Sequence, residues 1–356
     1  MIIFKYIFLL LLIFSLNSTI AQVPVQQLDS LAHITFNDPN GPGGIIMVAK
    51  HGQIVYHKAF GKANLELNTD MNIDMIFQLG SMTKQFTAIA ILMLEEAGKL
   101  SVQDPVSKYI PDYPNGSNIT LHNLLTHTSG IKDFTTMKSL SSISSTEMTP
   151  EMMVNFFKHE PVDFLPGEKF AYNNSGYVLL GYIIELVSGE TYQHYIQQHI
   201  FQKAGMSHSR YASDRDVIKN RAYGYSKKEM GYVNKTRISF TIPYAAGALM
   251  STTSDMLKWQ QALNNNLLLG KSATQQAFKQ YKLSNGDDTN YGYGWHLRAI
   301  NHHVDREHGG NIFGFKTMGI YFPDKDIYIL GFSNCDCNSP TKMITDIAGI
   351  VVDSLK

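Results

Sequence analysis

Apolar residues gather at the two ends of the chain in short runs and in its middle at helical spacing. Ile45-Ile46-Met47-Val48-Ala49-Lys50 and Ile54-Val55-Tyr56-His57-Lys58-Ala59-Phe60-Gly61 read as two strands joined through His51-Gly52-Gln53, a hairpin that follows the turn cluster Asn37–Gly44. A short polar helix is expected before it, around Gln26 to His33. After a polar stretch from Asn64 to Asp74, the run from Met82 through Phe86 and Ile89–Leu94 to Ala97 is apolar nearly all round, which predicts a buried helix ending near Gly98. From about Leu100 to Ala245 the pattern turns helical, with candidates at Leu121–Thr126, Pro150–Lys158, Ser175–Val187 and Tyr192–Phe201. Ser254–Leu263 is a further helix opened by Ser/Thr capping residues. Strands return at Tyr291–Ile300, Phe315–Phe322 and Asp326–Phe332, and a helix over about Pro340–Leu355 closes the chain. Strands at both ends with helices between predict a sheet completed by the C-terminal half. The expected division is a sheet subdomain from about 22–86 and 246–356, with a helical subdomain at about 87–245 inserted.

Composition narrows the classes of partner. Lys plus Arg equals Asp plus Glu, 30 of each in 356 residues, so no global charge invites nucleic acid or an anionic membrane. The first residues change the picture more. Lys5, an apolar run from Tyr6 to Leu16 and the small-residue ending Thr19-Ile20-Ala21 predict a signal peptide over 1–21, hence a secreted or periplasmic protein. No later run reaches the roughly 18 apolar residues of a membrane span. Cys335 and Cys337 are the only cysteines, and both a pair of thiols and a strained local disulfide are open for them. With neither H-E-x-x-H nor C-x-x-C present, no metal and no cofactor is expected.

Three segments carry candidate chemistry. In Gly80-Ser81-Met82-Thr83-Lys84 a serine and a lysine three apart share the start of the apolar helix, where a lysine amine can reach the hydroxyl and take its proton. Alone the pattern is weak, since an ordinary serine cap with a solvated lysine looks the same. Tyr172-Asn173-Asn174 follows the Pro166-Gly167 turn and stands just before the helix at Ser175, offering a phenol as proton carrier and an amide as hydrogen-bond donor. The plainer alternative is a packed tyrosine with an asparagine cap. His308-Gly309-Gly310 puts a histidine and two glycines beside a strand, where a ligand can approach the backbone closely, or where a turn holds a structural histidine.

In order and spacing, Ser81-Met82-Thr83-Lys84, Tyr172-Asn173-Asn174 and His308-Gly309-Gly310 resemble the S-x-x-K, Y-x-N and K/H-x-G motifs of the serine β-lactamase and penicillin-binding protein superfamily, particularly its class C-like branch. The flanks Leu124–Ile131, Tyr291–Trp295 and Ala246–Thr252 are similar too, so the resemblance runs from roughly Gly44 to Phe332. It implies an α+β fold of the β-lactamase/transpeptidase type, a central antiparallel sheet flanked by helices. It implies catalysis by Ser81, Lys84 and Tyr172 through an acyl-enzyme, and an oxyanion hole from the N–H groups of Ser81 and Asn311. Substrate would be held by Asn174, His308, Gly309 and Gly310. The substrate implied is a small molecule or peptide, with peptidoglycan fragments as one source. One departure bears on it: His308 stands where many β-lactamases have lysine, so a permanent charge for a substrate carboxylate is lost unless Arg306, Lys316 or a bound cation supplies one. That favours a D-alanyl-D-alanine peptidase-like or esterase activity, with a class C-like β-lactamase or a non-hydrolytic penicillin-binding scaffold as alternatives. An α/β-hydrolase is disfavoured because Gly331–Cys335 lacks the last glycine of G-x-S-x-G.

Overall fold

The computed structural model describes residues 23–355; the expected signal peptide at 1–21 lies outside them. Strands β1 (Gly44–Lys50) and β2 (Gln53–Phe60) form the expected hairpin. They join β3 (His296–Ile300), β4 (His303–Ile312), β5 (Phe315–Phe322) and β6 (Ile327–Ser333) in one six-stranded sheet of order β3-β4-β5-β6-β1-β2. Every neighbouring pair is antiparallel, and β1 closes the sheet by pairing with β6 from Gly44↔Ser333 to Lys50↔Ile327.

The central strands are apolar on both faces because both faces are covered. Along β1, Ile45, Met47 and Ala49 enter the large core shared with the helical half, while Ile46 and Val48 enter a smaller one. Helices α1 (Val25–Thr35) and α5 (Pro340–Ser354) cover that second face, α5 through Met343, Ile344, Ile347, Ala348 and Val351. This two-sided burial explains why these runs show no alternation of apolar and polar residues.

The helix α2 (Thr83–Glu96) is buried over its whole first three turns, from Thr83 to Leu92. It ends as the sequence predicts: Gly98, at φ +69°, donates to Glu95 O and Lys99 donates to Leu94 O, the two bonds of a Schellman cap. Against it packs α3 (Asn174–Ser188), and α4 (Thr253–Asn264) sits on β1 and β6. A small sheet of Phe77–Gln78, Leu249–Ser251 and Arg210–Tyr211 ties the helical half to the start of α2.

Two expectations need correction. The segment from Arg306 to Ile312 is not a glycine-rich turn beside a strand but the second half of β4, paired with β5 from Arg306↔Tyr321 to Ile312↔Phe315. Conversely, Tyr291–Trp295 is not strand; β3 begins only at His296. Glycine lowers strand propensity in isolation, yet here the paired backbone of β5 holds Gly309 and Gly310 extended. Cys335 and Cys337 form a disulfide in the loop after β6.

Candidate active site

Ser81 does not cap α2. It sits in a single 3-10 turn, Gly80–Met82, whose N-terminus has no side-chain cap, and the turn feeds directly into α2. The tightness of that turn is dictated by β4. A Cβ on Gly310 would stand 1.9 Å from Leu79 O, and one on Gly80, which has φ +54°, would stand 2.9 Å from Asn311 N. Only glycine at both places lets the two backbones touch. Thr317 on β5 fixes the junction by donating to Leu79 O at 2.9 Å. The backbone of Asn311 is thereby brought beside the Gly80-Ser81 turn.

Lys84, one turn along, has no solvent exposure. Its Nζ lies 3.2 Å from Ser81 Oγ, 2.8 Å from Asn174 Oδ1 and 2.9 Å from Ala246 O, with the Tyr172 ring centroid at 4.8 Å. Burial lowers its pKa to about 7, and the charge of Asp133 opposes the shift. As an ammonium, Lys84 donates to all three oxygens. As a neutral amine it keeps its two N–H bonds for the Ala246 carbonyl and the Asn174 oxygen, which can only accept, and turns its lone pair to the Ser81 hydroxyl. The orientation of the Asn174 amide is fixed independently, because its Nδ2 donates to Asp133 Oδ2 at 3.1 Å.

The two asparagines before α3 divide their labour. Asn173 is the cap: its side chain accepts from Gly176 N at 2.9 Å and donates to Ile131 O at 2.6 Å, while its own N–H donates to His127 Nδ1 at 3.0 Å. Asn174 is left to bridge Lys84 and Asp133. Tyr172, just outside the helix, has a buried hydroxyl without a hydrogen-bond partner among the described residues, though Ser81 is near enough to draw its pKa downward. Burial dominates and pushes the phenol above its ordinary range, with Asp133 adding to the shift.

His308 is brought near this group but behind it. The side chain is 2% exposed, Nδ1 meets Gly309 O at 2.6 Å and Nε2 meets the Tyr291 hydroxyl at 3.0 Å. Burial, helped by His296 and Lys84, holds its pKa well below the usual histidine value. A carbonyl can only accept, so Nδ1 carries the proton and Nε2 accepts from Tyr291. Ser81, Tyr172, Asn174 and Asn311 line a cavity of about 610 Å³; His308, Gly309 and Gly310 do not. Phe134, Leu140, Ile238, Ile242 and Phe313 make much of that lining apolar. A comparable cleft of about 620 Å³, around Arg210 and Asp214–Asp216, lies away from Ser81 and holds none of these groups.

Sequence reading passed over Asp133 and gave no role to the Ala246 carbonyl, His127 or Tyr291, which it met only within the flanking segments. Asp133 alone left a local signal, an Asp-x-Thr turn in which its side chain accepts from Thr135 N at 2.9 Å, but nothing in the sequence points that carboxylate at Asn174. Among the described residues no group of three or more His, Cys, Asp or Glu side chains could hold a metal ion.

A family model described as Beta-lactamase matches residues 31–348. The chain belongs to the beta-lactamase family. It is a serine hydrolase of the acyl-enzyme type, with the β-lactamase/transpeptidase-like fold. Penicillin-binding protein 4* of Bacillus subtilis is 32% identical over 315 residues, covering 84% of this chain and 70% of the relative. Among solved structures, the octameric penicillin-binding protein homologue from Pyrococcus abyssi superposes with a TM-score of 0.83 at 29% identity, covering 93% of this chain and 78% of that one. A penicillin-binding protein from Bacillus halodurans does so with 0.78 at 28%, covering 91% and 99%.

Proposed function

We propose that this member of the beta-lactamase family hydrolyses small amides or esters through acylation of Ser81, in the manner of a D-alanyl-D-alanine peptidase or an esterase. The observation that carries the reading is the contact of a buried Lys84, its pKa near 7, with Ser81 Oγ at the floor of the cavity. Lys84 takes the hydroxyl proton as Ser81 Oγ bonds to the substrate carbonyl carbon. The carbonyl oxygen gains the negative charge and is held by the N–H groups of Ser81 and Asn311, donors of a kind worth about 2.7–4 kcal/mol each. As the tetrahedral adduct collapses, Tyr172 gives its proton to the departing amine or alcohol and recovers one from Lys84. Water then repeats the sequence on the acyl-enzyme and frees the acid.

Several features support a peptidase or esterase over an efficient β-lactamase: His308 is neutral, engaged on both ring nitrogens and outside the cavity lining, so it offers no charge to a β-lactam carboxylate. Export rests on Lys5, Tyr6–Leu16 and Thr19-Ile20-Ala21; among the described residues no helix is long and apolar enough to cross a membrane. The test is turnover of a chromogenic cephalosporin, a short-chain p-nitrophenyl ester and a D-Ala-D-Ala peptide, side by side, in wild type and Ser81→Ala. The ester or the peptide should be turned over faster than the cephalosporin, and Ser81→Ala should abolish all hydrolysis with the fold intact. Full activity in that variant overturns the mechanism, and a dominant cephalosporin rate makes the protein a β-lactamase.

A further inference from the structure

His308 offers no charge to the leaving-group side, but the cavity around Ser81 has a basic residue elsewhere in its lining. Of the described residues lining it, Lys316 alone is a lysine or arginine. It stands on β5 directly opposite Asn311 in the β4–β5 register, beside the hairpin tip that contributes Ile312 and Phe313 to the lining. The side chain is half-buried, and among the described residues no hydrogen bond, ion pair or ring contact holds its ammonium. The one carboxylate in the lining, Asp336, accepts from Ser226 Oγ at 2.7 Å and makes no ion pair with Lys316. The other basic residue near the motif is turned elsewhere: the Arg306 guanidinium lies 3.8 Å over the Phe278 ring and lines a different cleft.

We infer that Lys316 is a specificity-determining residue that binds a free carboxylate on the acyl part of the substrate, so that the preferred acyl donor carries an apolar stem ending in an acid. The inference rests on the reading of Ser81 as nucleophile. Tyr172 gives its proton to the leaving group, so that group faces the α3 side of the cavity, and the acyl part extends the other way, past Ile312 and Phe313 to the hairpin. An ammonium with no internal partner, at the end of an apolar wall, pairs with an anion at little cost in broken contacts. A charge-assisted hydrogen bond to the carboxylate then adds selectivity over an uncharged chain of the same shape.

Matched p-nitrophenyl esters of adipic acid and of monomethyl adipate test this, with kcat/KM measured for wild type, Lys316→Gln and Lys316→Arg, and with fluorophosphonate labelling of Ser81 followed by mass spectrometry in each. Wild type should favour the acid over its methyl ester. Lys316→Gln should lower the acid-to-neutral ratio about tenfold, the loss expected of one charged hydrogen bond. Lys316→Arg should keep most of the ratio, and added salt should erode it in wild type and not in Lys316→Gln. Labelled Ser81 with the same ratio in wild type and Lys316→Gln overturns the assignment of Lys316 while leaving the nucleophile in place. Ester turnover with Ser81 unlabelled overturns the nucleophile, and this inference with it.

Discussion

An amine with one lone pair and two obligatory acceptors has little freedom, and in the proposed mechanism that constraint aims the Lys84 lone pair at Ser81. The ammonium form would place three protons on the same three partners, and burial penalises it until the pKa falls to about 7. Asp133 pulls the other way through its charge, acting across Asn174. For hydrolysis of a neutral ester, kcat/KM is therefore expected to fall about tenfold per pH unit below an apparent pKa near 7, the value to which burial lowers Lys84. Asp133→Asn keeps an acceptor for Asn174 but removes the negative charge, so the acid limb should move to lower pH. Profiles normalised to each plateau measure this, and a limb that stays in place would separate Asp133 from the proton chemistry.

At the scale of elements, the site is a meeting of helix starts and one strand. Both key helices begin there, but they begin differently: α2 without a side-chain cap, α3 with Asn173. Asn173 ties Tyr172 and Asn174 to the helix, to Ile131 O and to His127, so Asn173→Ala removes the cap and leaves the Ile131 carbonyl unpaired. A loss of about 1–2 kcal/mol is expected from the cap alone, read as a lowered urea midpoint, together with a fall in kcat/KM. Asn173→Asp, which can still accept from Gly176 N but sets an oxygen against Ile131 O, should restore the cap and not the Ile131 bond, and so recover only part of the loss. The helices themselves were legible because their apolar period and caps are local: α2, α3, α4 and α5 lie within one or two residues of the spans expected from sequence. The strand β4 was not, because what straightens His308-Gly309-Gly310 is pairing with β5 and contact with Leu79, both remote in sequence. For the same reason the motif residues Ser81, Lys84, Tyr172 and Asn174 could be named in advance, while Asp133 and the Ala246 carbonyl, which complete their hydrogen bonds, could not.

Over the whole molecule, buried polar side chains are not confined to the active site: the far face of the sheet holds Asp305 and Glu307 of β4. Asp305 on β4 has no solvent exposure, and neither carboxylate oxygen has a hydrogen-bond partner among the described residues. Burial raises its pKa to about 7, the charge of Glu307 adds to this, and Arg298, paired with Glu307 at 2.9 Å, opposes it. A native carboxyl that holds its proton more tightly than the unfolded chain stabilises most at low pH. Between about pH 4, the unfolded value, and pH 7 the native state binds more protons than the unfolded one, so this contribution is lost as pH rises through that window. The full loss is roughly 2–4 kcal/mol. Asp305→Asn has nothing to ionise, so its denaturant midpoint should fall less than that of wild type between pH 5 and 8, and at pH 8 it should be the more stable protein. Parallel slopes for the two proteins would show that Asp305 does not titrate across this range.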